Sequence, residues 1–148
     1  MTNFPFNQPD PDKTKDCGYR CLYYAVDFVL NHGVPYEQWL ENFKFFTPVK
    51  TGIYFTDICT VLDYYKIDYK FTQLTDKGLY IVYSGHWLKH GHYLIYHDGK
   101  VLCSTKNEAE EMKLADVIAK LEAKTIDHAF RSLKILGLMK EDGKTETN

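Results

Sequence analysis

The sequence contains no apolar run approaching the ~18–20 residues that cross a bilayer, and Met1 to Lys15 lacks the basic-then-apolar order of a secretory leader. A cytoplasmic protein with no membrane partner is therefore expected. An excess of one charge is missing as well: 18 Lys and Arg stand against 20 Asp and Glu, a formal net charge of −2. That balance argues against nucleic acid as a partner. Cysteine is sparse, with four residues at 17, 21, 59 and 103 and no Cys-x-x-Cys pair. Without a leader these read as reduced thiols, free for chemistry, rather than as bridges. His86-x-x-x-His90-x-His92 is the one spacing that suggests zinc, but no paired cysteines accompany it, so neither metal nor cofactor is expected. No internal repeat is present.

The chain does have aromatic bulk, 12 Tyr and 9 Phe among 148 residues, enough for a large core or a binding face. Its length suits one domain, residues 1–148, and a monomer. Pro5, Pro9 and Pro11 make residues 1–15 an extended arm. Apolar residues at helical spacing predict helices over about 17–31, 35–44, 54–66 and 113–124, with His32-Gly33 closing the first. After Lys66 the period becomes two. Strands are predicted over 67–74, 78–84, 92–96, 100–105 and 132–139, the third and fourth joined by an Asp98-Gly99 hairpin turn, and 141–148 is a flexible tail. Helices first and strands second define an α+β class.

The stretch from Asp16 to Leu30 starts with a cysteine at the head of a strongly apolar helix pattern. A helix start offers unpaired N–H groups and the positive end of the dipole, which lower a thiol pKa from its usual ~8.5. Cys17 is accordingly the candidate nucleophile, with Asp16 expected to cap the helix through its carboxylate. An activated thiolate there would react with iodoacetamide at about pH 6.5 ahead of Cys21, Cys59 and Cys103. Cys21 shares the helix face and is expected to be packed inside.

A thiol nucleophile needs a base, and histidine titrates in the right range. His32 and His128 are expected at the surface. His92 is the choice, since it opens the strand Gly91-His92-Tyr93-Leu94-Ile95-Tyr96, otherwise built of core residues. A two-residue turn at Asp98-Gly99 would set His92 opposite Thr105, with Asn107 next on the same side. Asn107 is the candidate to orient the imidazole, Glu108 if the turn is looser. The oxyanion would be held by the Cys17 N–H and by Gln8, the one glutamine upstream. Trp39, Tyr54 and Trp87 are candidate cleft walls.

Asp16-Cys17-Gly18-x-x-Cys21-Leu22, a Gly52-led third helix and the later Gly91-His92-Tyr93-Leu94-Ile95 strand together resemble the bacteriocin-processing C39 peptidases, a branch of the papain-like cysteine proteases. The likeness covers about Gln8 to Glu108. It implies a helical half carrying the cysteine, packed on an antiparallel sheet carrying the histidine. It also implies a thiol hydrolase acting on a peptide or protein, with Cys17 as nucleophile, His92 as proton shuttle, Asn107 or Glu108 as orienting group and Gln8 at the oxyanion. The sequence departs from that pattern twice. Pro11 stands where the family has its glutamine, and Ser104-Thr105-Lys106-Asn107 replaces the Asp-Pro after the last catalytic strand. The alternative is a catalytically inactive domain of the same fold that holds a protein partner through its aromatic surface.

Overall fold

Ten consecutive residues, Gly18 to Asp27, are buried within the first helix, α1 (Cys17–Leu30). A helix lying on a surface buries only a stripe, so one buried on every side must be covered from several directions. In the computed structural model, which describes residues 16–42, 53–84, 92–103, 109–122 and 130–140, α1 packs against a sheet, against α2 (Tyr36–Glu41) and against α3 (Phe55–Tyr64). The predicted arm and tail lie outside the described residues. α1 ends at Asn31, whose left-handed φ of 53° returns its N–H to the Asp27 carbonyl. Asn31 rather than His32-Gly33 is thus the cap, and Gly33 instead donates its N–H to Asp27 Oδ1 at 2.9 Å.

Among the described residues the sheet has six strands: β1 (Ile67–Phe71), β2 (Leu79–Ser84), β3 (His92–His97), β4 (Lys100–Leu102), β5 (Glu110–Glu111) and β6 (Arg131–Leu138). Their order is β1-β6-β2-β3-β4-β5, with every neighbour antiparallel. The last strand in the chain, β6, is not at an edge but inserts between β1 and β2. Alternation identifies β6 as a strand, while its partners are fixed only by what its two faces bury. The β3–β4 hairpin has the expected two-residue turn: Asp98 and Gly99 have φ of 49° and 84°, and His97 pairs with Lys100.

Each face of the sheet carries a core. Ile67, Leu79, Ile81, Tyr93, Ile95, Leu133 and Ile135 meet α1, α2 and α3. Tyr80, Val82, Leu94, Tyr96 and Val101 meet Val117 and Leu121 of α4 (Leu114–Glu122). Burying each large side chain is worth about 1.5–3 kcal/mol. The architecture is α+β, with four described helices on two sides of an antiparallel sheet. No described helix is long and apolar enough to cross a membrane.

Candidate active site at the start of α1

Cys17 opens α1, and its sulfur lies against the start of β3, where the Tyr93 N–H donates to Sγ at 3.5 Å. The Gly18 N–H also faces the sulfur. Gly18 itself permits the approach, since a Cβ there would collide with Ile53 Cγ2 and stand 3.0 Å from Tyr93 Cδ2. Tyr93 closes the arrangement by donating its hydroxyl to the Ile53 carbonyl at 2.9 Å. Helix start, strand start and the residue before α3's Tyr54 cap are thereby locked together.

The electrostatics reverse the expectation of a lowered thiol pKa. Burial pushes the Cys17 thiol up to about 11, outweighing the two N–H groups, and the nearby Asp16 carboxylate adds to the rise. Asp16 makes no side-chain cap bond. Its Oδ2 accepts the Arg20 Nε–H at 3.0 Å and the Tyr36 hydroxyl at 2.9 Å, while the Arg20 guanidinium stacks 4.6 Å above the Tyr36 ring. Asp16 and Arg20 are both buried, and a buried carboxylate gains more from a cation and a phenol than from neutral helix amides. Among the described residues its buried Oδ1 has no hydrogen-bond partner.

His92 begins β3 as expected, one residue from the amide that meets the thiol, but it is 2% exposed rather than open. Burial lowers its pKa to about 4, so the imidazole is neutral at pH 7. Along β3, Tyr93 and Ile95 belong to the α1 side and Leu94 and Tyr96 to the α4 side, and alternation gives His92 the α4 parity. Its cross-strand partner Ser84 conforms, donating Oγ–H to the Leu121 carbonyl of α4 at 3.1 Å. Cys17 thus meets the start of β3 at its backbone, one residue from His92, while alternation sets the His92 side chain on the opposite face of the sheet.

Gln8, Thr105, Asn107 and Glu108 lie outside the described residues, as do His86, His90, Trp87 and His128. Cys21 is fully buried, as its place on the apolar face predicts, and no disulfide joins any of the four cysteines. Trp39 is no cleft wall: it is 2% exposed and donates its indole N–H to the Tyr65 hydroxyl at 3.0 Å. Tyr54 is 73% exposed. His32 is half-buried rather than at the surface, edge-on to Tyr23 and 3.1 Å from Asp27 Oδ1. His97, at the other end of β3, meets the Tyr24 hydroxyl through Nδ1 at 2.8 Å and serves the packing of α1 on the sheet. Among the described residues no three His, Cys, Asp or Glu side chains converge as a metal site.

Sequence reasoning missed a row of rings beside the thiol. Tyr93 lies 4.9 Å from Tyr83 and 5.2 Å from Phe55, and Phe55 lies 5.2 Å from Phe71, between ring centroids. Arg131 caps the row, its guanidinium 4.3 Å over Phe71 and 5.2 Å over Phe55. Phe71, Tyr83 and Tyr93 are visible as aromatics at strand ends, but the insertion of β6 aligns them with Arg131. No family model matches the chain, and neither does any curated protein or solved structure.

Proposed function

We propose that the protein is a papain-like thiol hydrolase, a cysteine peptidase, isopeptidase or amidase that works through a Cys17–His92 pair. The observation that carries this reading is the Tyr93 N–H to Cys17 Sγ contact, which sets a half-buried thiol at a helix start beside the residue following His92. In this reading the resting pair is neutral. Neutral imidazole takes the thiol proton as sulfur attacks the substrate carbonyl, and the Cys17 N–H at the head of α1 donates to the developing oxyanion. The imidazolium then protonates the leaving nitrogen. Water cleaves the thioester, returning the proton to sulfur and releasing the acid. Asn107 or Glu108 would orient the imidazole and Gln8 would supply a second oxyanion donor. Four cysteines without a disulfide suit a cytoplasmic setting.

A second reading, a domain of the same fold that binds a protein partner without catalysis, is favoured by two observations. Alternation gives His92 the α4 side of the sheet, and burial keeps both groups uncharged. A series of peptidyl acyloxymethyl ketones separates the two. The hydrolase forms one covalent adduct, on Cys17, by mass spectrometry, and His92→Ala slows it by about 10²-fold or more. The binding domain forms none on Cys17.

A further inference from the structure

Tyr83 is paired directly with Tyr93 on one side and with Arg131 on the other, so the three residues form a single row across β3, β2 and β6. Strands lie about 4.8 Å apart, which sets Arg131 roughly 10 Å from the strand that touches the thiol, the length of about three residues of extended peptide. Exposure increases along the row: Tyr93 is buried, Tyr83 half-buried, and Arg131 exposed next to Phe71, itself 43% exposed. One end of the row adjoins Cys17 and the other opens to solvent.

The Arg131 guanidinium carbon lies 4.3 Å over the Phe71 ring and 5.2 Å over the Phe55 ring, two rings set edge to face, so the cation is seated against both. Among the described residues no carboxylate pairs with it. The acids of α3 are engaged elsewhere, Asp57 accepting the Tyr54 N–H at 3.1 Å and Asp63 the Tyr69 hydroxyl at 3.0 Å. A guanidinium seated on aromatic rings matches a carboxylate in a bidentate arrangement, and the rings beside it match an apolar or backbone surface.

We infer that the Tyr93–Tyr83–Arg131 row, with Phe55 and Phe71 beneath the guanidinium, is a subsite that selects peptides carrying a carboxylate about three residues from the bond presented to Cys17. This rests on the thiol-hydrolase reading and specifies its substrate class. Arg131 is the specificity residue, and Tyr83 supports the chain between it and the thiol.

The test uses two acetylated and amidated hexa-alanine peptides, one with glutamate at the third residue and one with lysine there. Each is titrated into the full chain carrying Cys17→Ala while the Arg131 Nε–H and Tyr83 ring resonances are followed. The glutamate peptide is expected to bind at least about tenfold more tightly and to move both sets of resonances. Arg131→Gln should erase that preference, and Arg131→Lys should keep part of it. Equal affinities, a preference that survives Arg131→Gln, or no binding of either peptide below about 1 mM overturns the subsite. Because the thiol is absent from this experiment, its outcome is separate from that of ketone labelling. A chain that labels at Cys17 but shows no glutamate preference loses only the subsite. One that prefers glutamate but does not label keeps an acidic-peptide site and loses the hydrolase.

Discussion

The Tyr93 amide donates to the Cys17 thiol at 3.5 Å across 76 residues of sequence. That contact ties the first residue of the central helix to the start of a central strand, and it exists because residue 18 has no side chain.

Gly18→Ala tests that dependence. In an exposed helix alanine would gain about 1 kcal/mol over glycine. Here the added methyl meets Ile53 and Tyr93, and overpacking of this kind costs about 1–3 kcal/mol. The variant is expected to unfold at lower urea concentration than wild type and to alkylate faster at Cys17. A more stable Gly18→Ala chain would mean that the helix start is loosely packed.

The buried Asp16–Arg20–Tyr36 group makes a second test. Tyr36→Phe removes one of the two donors to Oδ2 and should cost about 1–3 kcal/mol. Asp16→Ala strips the buried Arg20 of this partner and should cost more, about 3–5 kcal/mol. Urea unfolding of both variants, compared at one pH, checks the ranking.

Stability should also fall on both sides of neutrality. Folded His92 stays neutral down to about pH 4, whereas an unfolded imidazole takes a proton near 6.5, so between those values the unfolded chain binds more protons. Acidification through that window should remove about 3 kcal/mol, and His92→Gln should flatten the slope. On the alkaline side an unfolded Cys17 loses its proton near 9 and the folded one near 11, so stability declines as pH rises between them. Thermal melts from pH 4 to 11 display both limbs.

The positions of these groups were legible in the sequence because local pattern determines them. An apolar run headed by Cys17 makes a helix start, Asp98-Gly99 makes a two-residue turn, and alternation makes His92 a strand start. Their electrostatics were not legible. Whether helix N–H groups or desolvation wins at Cys17 depends on the burial that comes when β3 packs on the start of α1, which is long-range packing. The same holds for Asp16, whose choice of Arg20 and Tyr36 over the helix amides required α2 to fold back beside α1. The alignment of Arg131 with Tyr83 depended on β6 entering between β1 and β2, which no local signal in residues 131–138 records.

Plain alkylation separates accessibility from catalysis. Cys17 and Cys59 are the half-buried thiols, while Cys21 and Cys103 are buried. Since burial lifts Cys17 to about 11, iodoacetamide at neutral pH is expected to modify Cys59 ahead of Cys17, the reverse of what a preformed thiolate would show. Peptide mapping at partial modification gives the order.

The most direct measurement is the site and rate of labelling by a peptidyl acyloxymethyl ketone at pH 7 in wild type, Cys17→Ala and His92→Ala. One equivalent on Cys17, none in Cys17→Ala and at least about 10²-fold slower labelling in His92→Ala is the expected result. Labelling confined to Cys59, or a Cys17 rate unchanged in His92→Ala, would contradict a Cys17–His92 hydrolase.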